Sequence, residues 1–131
     1  MFTKPKHGWV NIKLGDFTER ASYLTDILND CLDAFIYGHE KCMPISIYFD
    51  AEGYDFHLIS SYYKSYIILT KEETPKLFVI EKDYTDLAWE IINDLEENIC
   101  EWANWECYKE NNIEEEKEKL LQKIEALKKV L

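Results

Sequence analysis

The sequence predicts an α+β fold: an antiparallel sheet of about four to five strands, with one helix ahead of the main run of strands and two helices after it. Three observations carry this. Apolar and polar residues alternate through 8–14 and again through 45–81. Apolar residues recur at three- and four-residue spacing through 24–37 and again from residue 84 onward. The polar breaks between the strand segments are short, which favours antiparallel neighbours over crossover connections.

Residues 8–14 set Val10, Ile12 and Leu14 against Trp9, Asn11 and Lys13, the period of a half-buried strand, which Gly15-Asp16 ends. Residues 24–37 predict a helix capped by Thr25 and stopped by Gly38. Its apolar stripe runs through Leu24, Ile27, Leu28, Cys31, Leu32, Phe35 and Ile36, with Asp26, Asp30 and Asp33 opposite. Residues 45–81 read as a meander: Ile45, Ile47 and Phe49 alternate with polar neighbours, and a turn follows at 50–53, where Gly53 can take a left-handed conformation. A second strand holds Tyr54, Phe56 and Leu58, a third spans Tyr62 to Lys71, and a fourth runs from Leu77 to Glu81.

Residues 84–109 predict one long helix capped by Asp83 or Thr85. Ala88, Ile91, Leu95, Ile99 and Trp102 form its buried stripe, and Asp86, Glu90, Asp94, Glu97 and Glu101 fall on the far side. Trp89 and Trp105 lie on the flanks. After a break at Asn111-Asn112, a last helix runs from Ile113 to Leu131 with a short heptad seam of Leu120, Ile124, Leu127 and Leu131. An isolated helix of that length is marginal, so it must pack on its own domain or on a second copy. The organisation is a single domain over 1–131: a strand-helix-meander unit over 1–83 and a helical pair over 84–131.

Composition narrows the function classes. The chain has 131 residues, is 15% aromatic, and holds only four glycines and three prolines, which describes a chain able to bury a core. No apolar run approaches the roughly 20 residues of a membrane helix, and the N-terminal lysines are not followed by an apolar stretch, so a cytoplasmic location is expected. Cys31, Cys42, Cys100 and Cys107 form no CxxC pair and are read as reduced thiols. The formal net charge is -11, concentrated in residues 81–118, which carry 14 acidic and 3 basic side chains. Such a field repels nucleic acid and anionic membrane and attracts basic surfaces.

Sites for chemistry are sparse. His39 and Cys42 make one close pair, but Cys100 and Cys107 are seven apart on a helix, about 10 Å, too far to share a zinc ion. Ser60-Ser61 near His57 lacks a nucleophile-elbow motif. No glycine-rich phosphate loop is present. Asp50, Glu52 and Asp55 surround a turn without the spacing of a calcium loop. No catalytic residue, metal or cofactor is therefore expected.

Two surfaces suit binding instead. One is the acidic stripe Glu90, Asp94, Glu97 and Glu101 with Trp89 and Trp105, suited to a basic protein partner that is steered by charge and held by an aromatic anchor. The other is a sheet face holding Tyr48, His57 and Tyr66, opposite Ile47, Phe56 and Ile67, where tyrosine offers contact area at low entropic cost. A homodimer through the C-terminal heptad seam is a further expectation.

The stretch Gly15-Asp-Phe-Thr-Glu-Arg-Ala-Ser-Tyr-Leu-Thr-Asp26, the helix after it and Tyr48-Phe-Asp-Ala-Glu-Gly53 resemble small bacterial proteins of uncharacterised families. Some of these resemble immunity proteins that neutralise toxins used in competition between bacteria. The likeness spans about residues 9–60 and is one of sequence style. It implies a cytoplasmic inhibitor that occludes one cognate toxin and performs no catalysis; it assigns no role to any single residue.

Overall fold

The computed structural model describes residues 1–105 and 112–131. Among these described residues, two antiparallel sheets and four helices follow one another. A hairpin of β1 (Trp9–Leu14) and β2 (Phe17–Ser22) comes first, then α1 (Ile27–Lys41). The meander β3 (Ile45–Asp50), β4 (Asp55–Ser60), β5 (Ser65–Thr70) and β6 (Lys76–Ile80) forms a four-stranded sheet in sequence order. Helices α2 (Tyr84–Glu97), α3 (Ile99–Ala103) and α4 (Ile113–Val130) complete the fold. The α+β class, the meander and the placement of the helices agree with the sequence pattern.

The expected strand at 8–14 has a partner that periodicity did not show. Gly15, at φ +56, and Asp16 make a two-residue turn, and Leu14 pairs with Phe17. Strand β2 is nearly invisible to hydrophobic alternation because its centre is Thr18-Glu19-Arg20. Those polar groups are satisfied locally. Glu19 accepts a hydrogen bond from the Tyr54 hydroxyl and pairs with Lys71 at 3.3 Å, and the Arg20 guanidinium lies 4.5 Å over the Trp9 ring.

Helix α1 starts and ends later than its signals suggest. Asp26, not Thr25, caps it, accepting from the Asn29 amide, and Leu24 is left exposed outside the stripe. Gly38 does not end it. The helix continues to Lys41 and closes on Cys42 at φ 54. Gly38 instead permits a close approach: a Cβ there would lie 2.2 Å from Cγ2 of Ile45 on β3.

The core is one continuous cluster built from both sheets and all the long helices. Phe17 of the hairpin meets Phe56 and Phe78 edge-on at 5.0 and 5.2 Å, which lays β2 over the inner face of the meander. Ile47, Phe49, Phe56, Leu58 and Ile67 are all buried on that face. Each such side chain removed from water stabilises the fold by roughly 1.5–3 kcal/mol before entropy is counted.

The long helix expected over 84–109 is divided. Asp83 caps α2 through the Thr85 and Asp86 amides, both at 2.9 Å, and Asn98 breaks the helix before the short α3. Residues 106–109 of that expectation, with Cys107, and Asn111 lie outside the described residues. The expected stripe is buried at Ala88, Ile91, Leu95 and Trp102 and only partly buried at Ile99, and Trp105 is not a flank residue. It is only 5% exposed, its ring 5.2 Å from that of Trp102, because the chain turns inward after α3.

The heptad seam closes on the chain itself. Leu120, Ile124 and Leu127 are buried as α4 packs on α1 and α3, and Lys123 and Lys128 of α4 pair with Asp33 and Glu96 at 2.9 and 2.5 Å. A dimer through this seam would require that packing to be undone.

Candidate functional site

The strand register determines what each sheet face carries. Alternation along β3–β6 turns Ile47, Phe49, Phe56, Leu58, Ile67 and Ile80 toward the core, so their neighbours form the outer face. Tyr48 pairs with His57, His57 with Ile68, and Ile68 with Leu77, giving one row across all four strands. Ser46, Ile59, Tyr66 and Val79 form the adjacent row. Sequence reasoning placed Tyr48, His57 and Tyr66 on this face, and the structure brings them there. Tyr48 and His57 are direct partners with ring centroids 5.1 Å apart, while Tyr66 stands one row along, opposite Ile59.

Ile59, Ile68, Leu77 and Val79 belong to the same face and were not singled out. Their signal was present as continuous apolar runs, Tyr66–Leu69 and Leu77–Ile80, in which both faces of a strand are apolar. Such runs normally mark a sheet covered on both sides. Among the described residues no helix covers the outer side: Tyr48 is 39% exposed, Val79 50% and Leu77 60%. An antiparallel sheet ordinarily shows polar groups to water, so a contiguous apolar and aromatic outer face is the unusual feature of this molecule.

One end of this face is acidic. Asp50 and Asp55 stand opposite each other in the β3–β4 register, an arrangement that like charges disfavour. Asp50 accepts hydrogen bonds from the Glu52 amide at 2.7 Å and from the Tyr48 hydroxyl at 3.4 Å. Burial and the neighbouring Asp50 and Asp55 push the Tyr48 phenol above its ordinary pKa, so it stays a neutral donor. Neither aspartate forms an ion pair among the described residues. Glu72 and Glu73, both exposed, lie in the β5–β6 turn at the same end of the meander. The opposite end carries Tyr62 and Tyr63, both strongly exposed.

The acidic side of α2 is arranged differently from the expectation. Glu90 and Asp94 accept from the Met1 ammonium at 3.1 and 2.8 Å, Glu90 also pairs with Lys82 at 2.8 Å, and Asp94 takes the Phe2 amide at 2.8 Å. Burial works against ionisation of Glu90, but the hydrogen bonds from Lys82 and the ammonium outweigh it and leave its pKa below the ordinary value. Glu101 pairs with Lys4 at 3.1 Å. These carboxylates tie the N-terminal segment to α2 and α3. Of the six residues expected to form that surface, Trp89 and Glu97 remain exposed and, among the described residues, without such partners; Asp86, one turn before Trp89, is likewise exposed.

The remaining chemical candidates resolve into structural roles. Ser60 Oγ is buried and shares a 2.7 Å hydrogen bond with Ser65 Oγ, on the opposite face of β4 from His57. Ser61 Oγ accepts the Tyr63 amide in the turn that follows. His39 lies 2.7 Å from the Phe35 carbonyl through Nδ1, which must therefore donate, and its ring stacks on Tyr84 at 4.0 Å. Cys31 is buried, Cys42 and Cys100 are exposed, and all three are free. Among the described residues no three His, Cys, Asp or Glu side chains cluster as a metal ion would require, and no helix is long and apolar enough to cross a membrane.

Comparisons with protein-family models, with curated proteins and with solved structures return no match for this chain.

Proposed function

We propose that this chain is a non-catalytic protein-binding domain whose outer sheet face docks a partner with an apolar centre and a basic margin. One observation carries the reading: an apolar, aromatic face spans all four strands, with unneutralised Asp50 and Asp55 at its end. Tyrosine and aliphatic groups supply desolvated contact area, and the carboxylate rim orients a cationic partner and speeds its approach. The net charge of -11 favours the same class of partner. In its sharpest form the domain is a cytoplasmic inhibitor of the immunity-protein kind, acting by covering a positively charged active site. The acidic side of α2 and α3 takes a smaller part in this proposal, because Glu90, Asp94 and Glu101 already have cations of their own.

Affinity capture from native lysate at low and moderately high salt tests this reading. A saturable basic protein that is weakened by salt supports it. Capture of only acidic proteins, or of nothing saturable, contradicts it.

A further inference from the structure

The strand edges of this fold are not treated alike. The β1 edge is covered by the N-terminal segment, where the Thr3 amide reaches the Asn11 carbonyl at 3.0 Å and the Lys13 amide reaches that of Met1 at 2.9 Å. Strands β2 and β3 belong to separate sheets and lie close to each other, with no backbone hydrogen bond between them among the described residues. Strand β6 pairs with β5 on one side, and among the described residues no strand or backbone segment bonds its other side. An open edge presents a row of unpaired amides and carbonyls, and proteins ordinarily blunt it with charge, proline or a bulge. Here Pro75 and Lys76 guard only the start, and Leu77-Phe-Val-Ile80 follows with no charge at all.

We propose that β6 pairs antiparallel with β6 of a second copy of this chain, about Phe78, joining two four-stranded sheets into one of eight strands. Charge selects this occupant. The chain as a whole is strongly acidic, and most surfaces of two copies repel each other. Residues 64–82 stand near balance instead, with four lysines against three glutamates, so two copies of this edge meet without that repulsion. Antiparallel pairing also brings the exposed Lys76 end of one strand beside the exposed Glu81 end of the other. In this register Leu77 of one copy lies opposite Val79 of the other, and both are exposed in the single chain. A pairing of two five-residue strands is small, so the dimer is weak and concentration-dependent. It extends beyond the partner reading and does not depend on it: two outer faces become continuous.

Sedimentation of the full chain over a wide concentration range tests this, with Leu77→Lys and Tyr48→Ala run alongside. The expected result is a monomer–dimer equilibrium weakened at least tenfold by Leu77→Lys and unchanged by Tyr48→Ala, which lies on the far strand of the same face. A Leu77→Cys/Val79→Cys chain should in addition cross-link on oxidation where the natural chain and Leu77→Cys alone do not. A chain that stays monomeric at the highest concentration overturns the proposal, as does a dimer indifferent to Leu77→Lys. Equal loss with Tyr48→Ala overturns it too, since that outcome means face-to-face stacking.

Discussion

Tyr48 and His57 stand directly opposite each other across β3 and β4, their rings 5.1 Å apart and both turned away from the core. Closely apposed aromatic groups on the solvent side of a sheet contribute little to folding, because they leave less water behind than buried rings do. Replacing Tyr48 or His57 by Ala is therefore expected to shift unfolding free energy by no more than about 0.5–1 kcal/mol. Urea unfolding of each variant checks this. A much larger loss would mean that the pair serves the fold.

The Met1–Glu90–Lys82 cluster makes stability depend on pH. Glu90 has a folded pKa below its ordinary value, so its contribution is complete above the unfolded pKa and is lost as pH falls through the folded one. Glu90→Gln should lower stability near neutral pH by roughly 1 kcal/mol, discounted for partial exposure, and should flatten the acid limb of the stability curve. Denaturant titrations between neutral and acidic pH measure both effects.

Gly38→Ala is expected to destabilise although alanine is the better helix former. The added methyl would stand 2.2 Å from Ile45 Cγ2, and the resulting shift of α1 from β3 costs about 1–3 kcal/mol, more than the propensity gain of about 1 kcal/mol. Thermal unfolding of this single variant decides which term prevails.

Most of the fold was legible because periodicity reports burial wherever only one face of an element is buried. That held for β1, the meander and α2. Strand β2 escaped because Glu19 and Arg20 are satisfied by Tyr54 and Trp9, partners distant in sequence. Gly38 was misread as a stop because the need for space came from Ile45, on another element. The candidate site was half legible: alternation placed Tyr48, His57 and Tyr66 on one face, but register was needed to join them to Ile68, Leu77 and Val79. The acidic stripe runs from α2 onto α3, because the helix is divided at Asn98. The helical wheel could not show that the N-terminal segment lies along it.

Helix α4 completes the core, so its removal should be felt as a cavity rather than as a lost dimer. Ile124→Ala is expected to cost about 2–4 kcal/mol, since its side chain is buried. Deleting residues 113–131 should yield aggregating protein, not a folded monomer. Calorimetry on Ile124→Ala and light scattering on the truncated chain provide the check.

The proposed docking surface is the outer sheet face, not the acidic side of α2. The most direct test captures proteins from native lysate with three baits: the natural chain, Tyr48→Ala/Tyr66→Ala, and Asp86→Lys/Glu97→Lys. All four altered positions are at least partly solvent-exposed, so folding should be retained, and circular dichroism checks it. Docking through the sheet face predicts that the sheet variant loses the partner held by the natural chain and that the helix variant keeps it, weakened no more than a change in overall charge explains. Retention by the sheet variant with loss by the helix variant would contradict it.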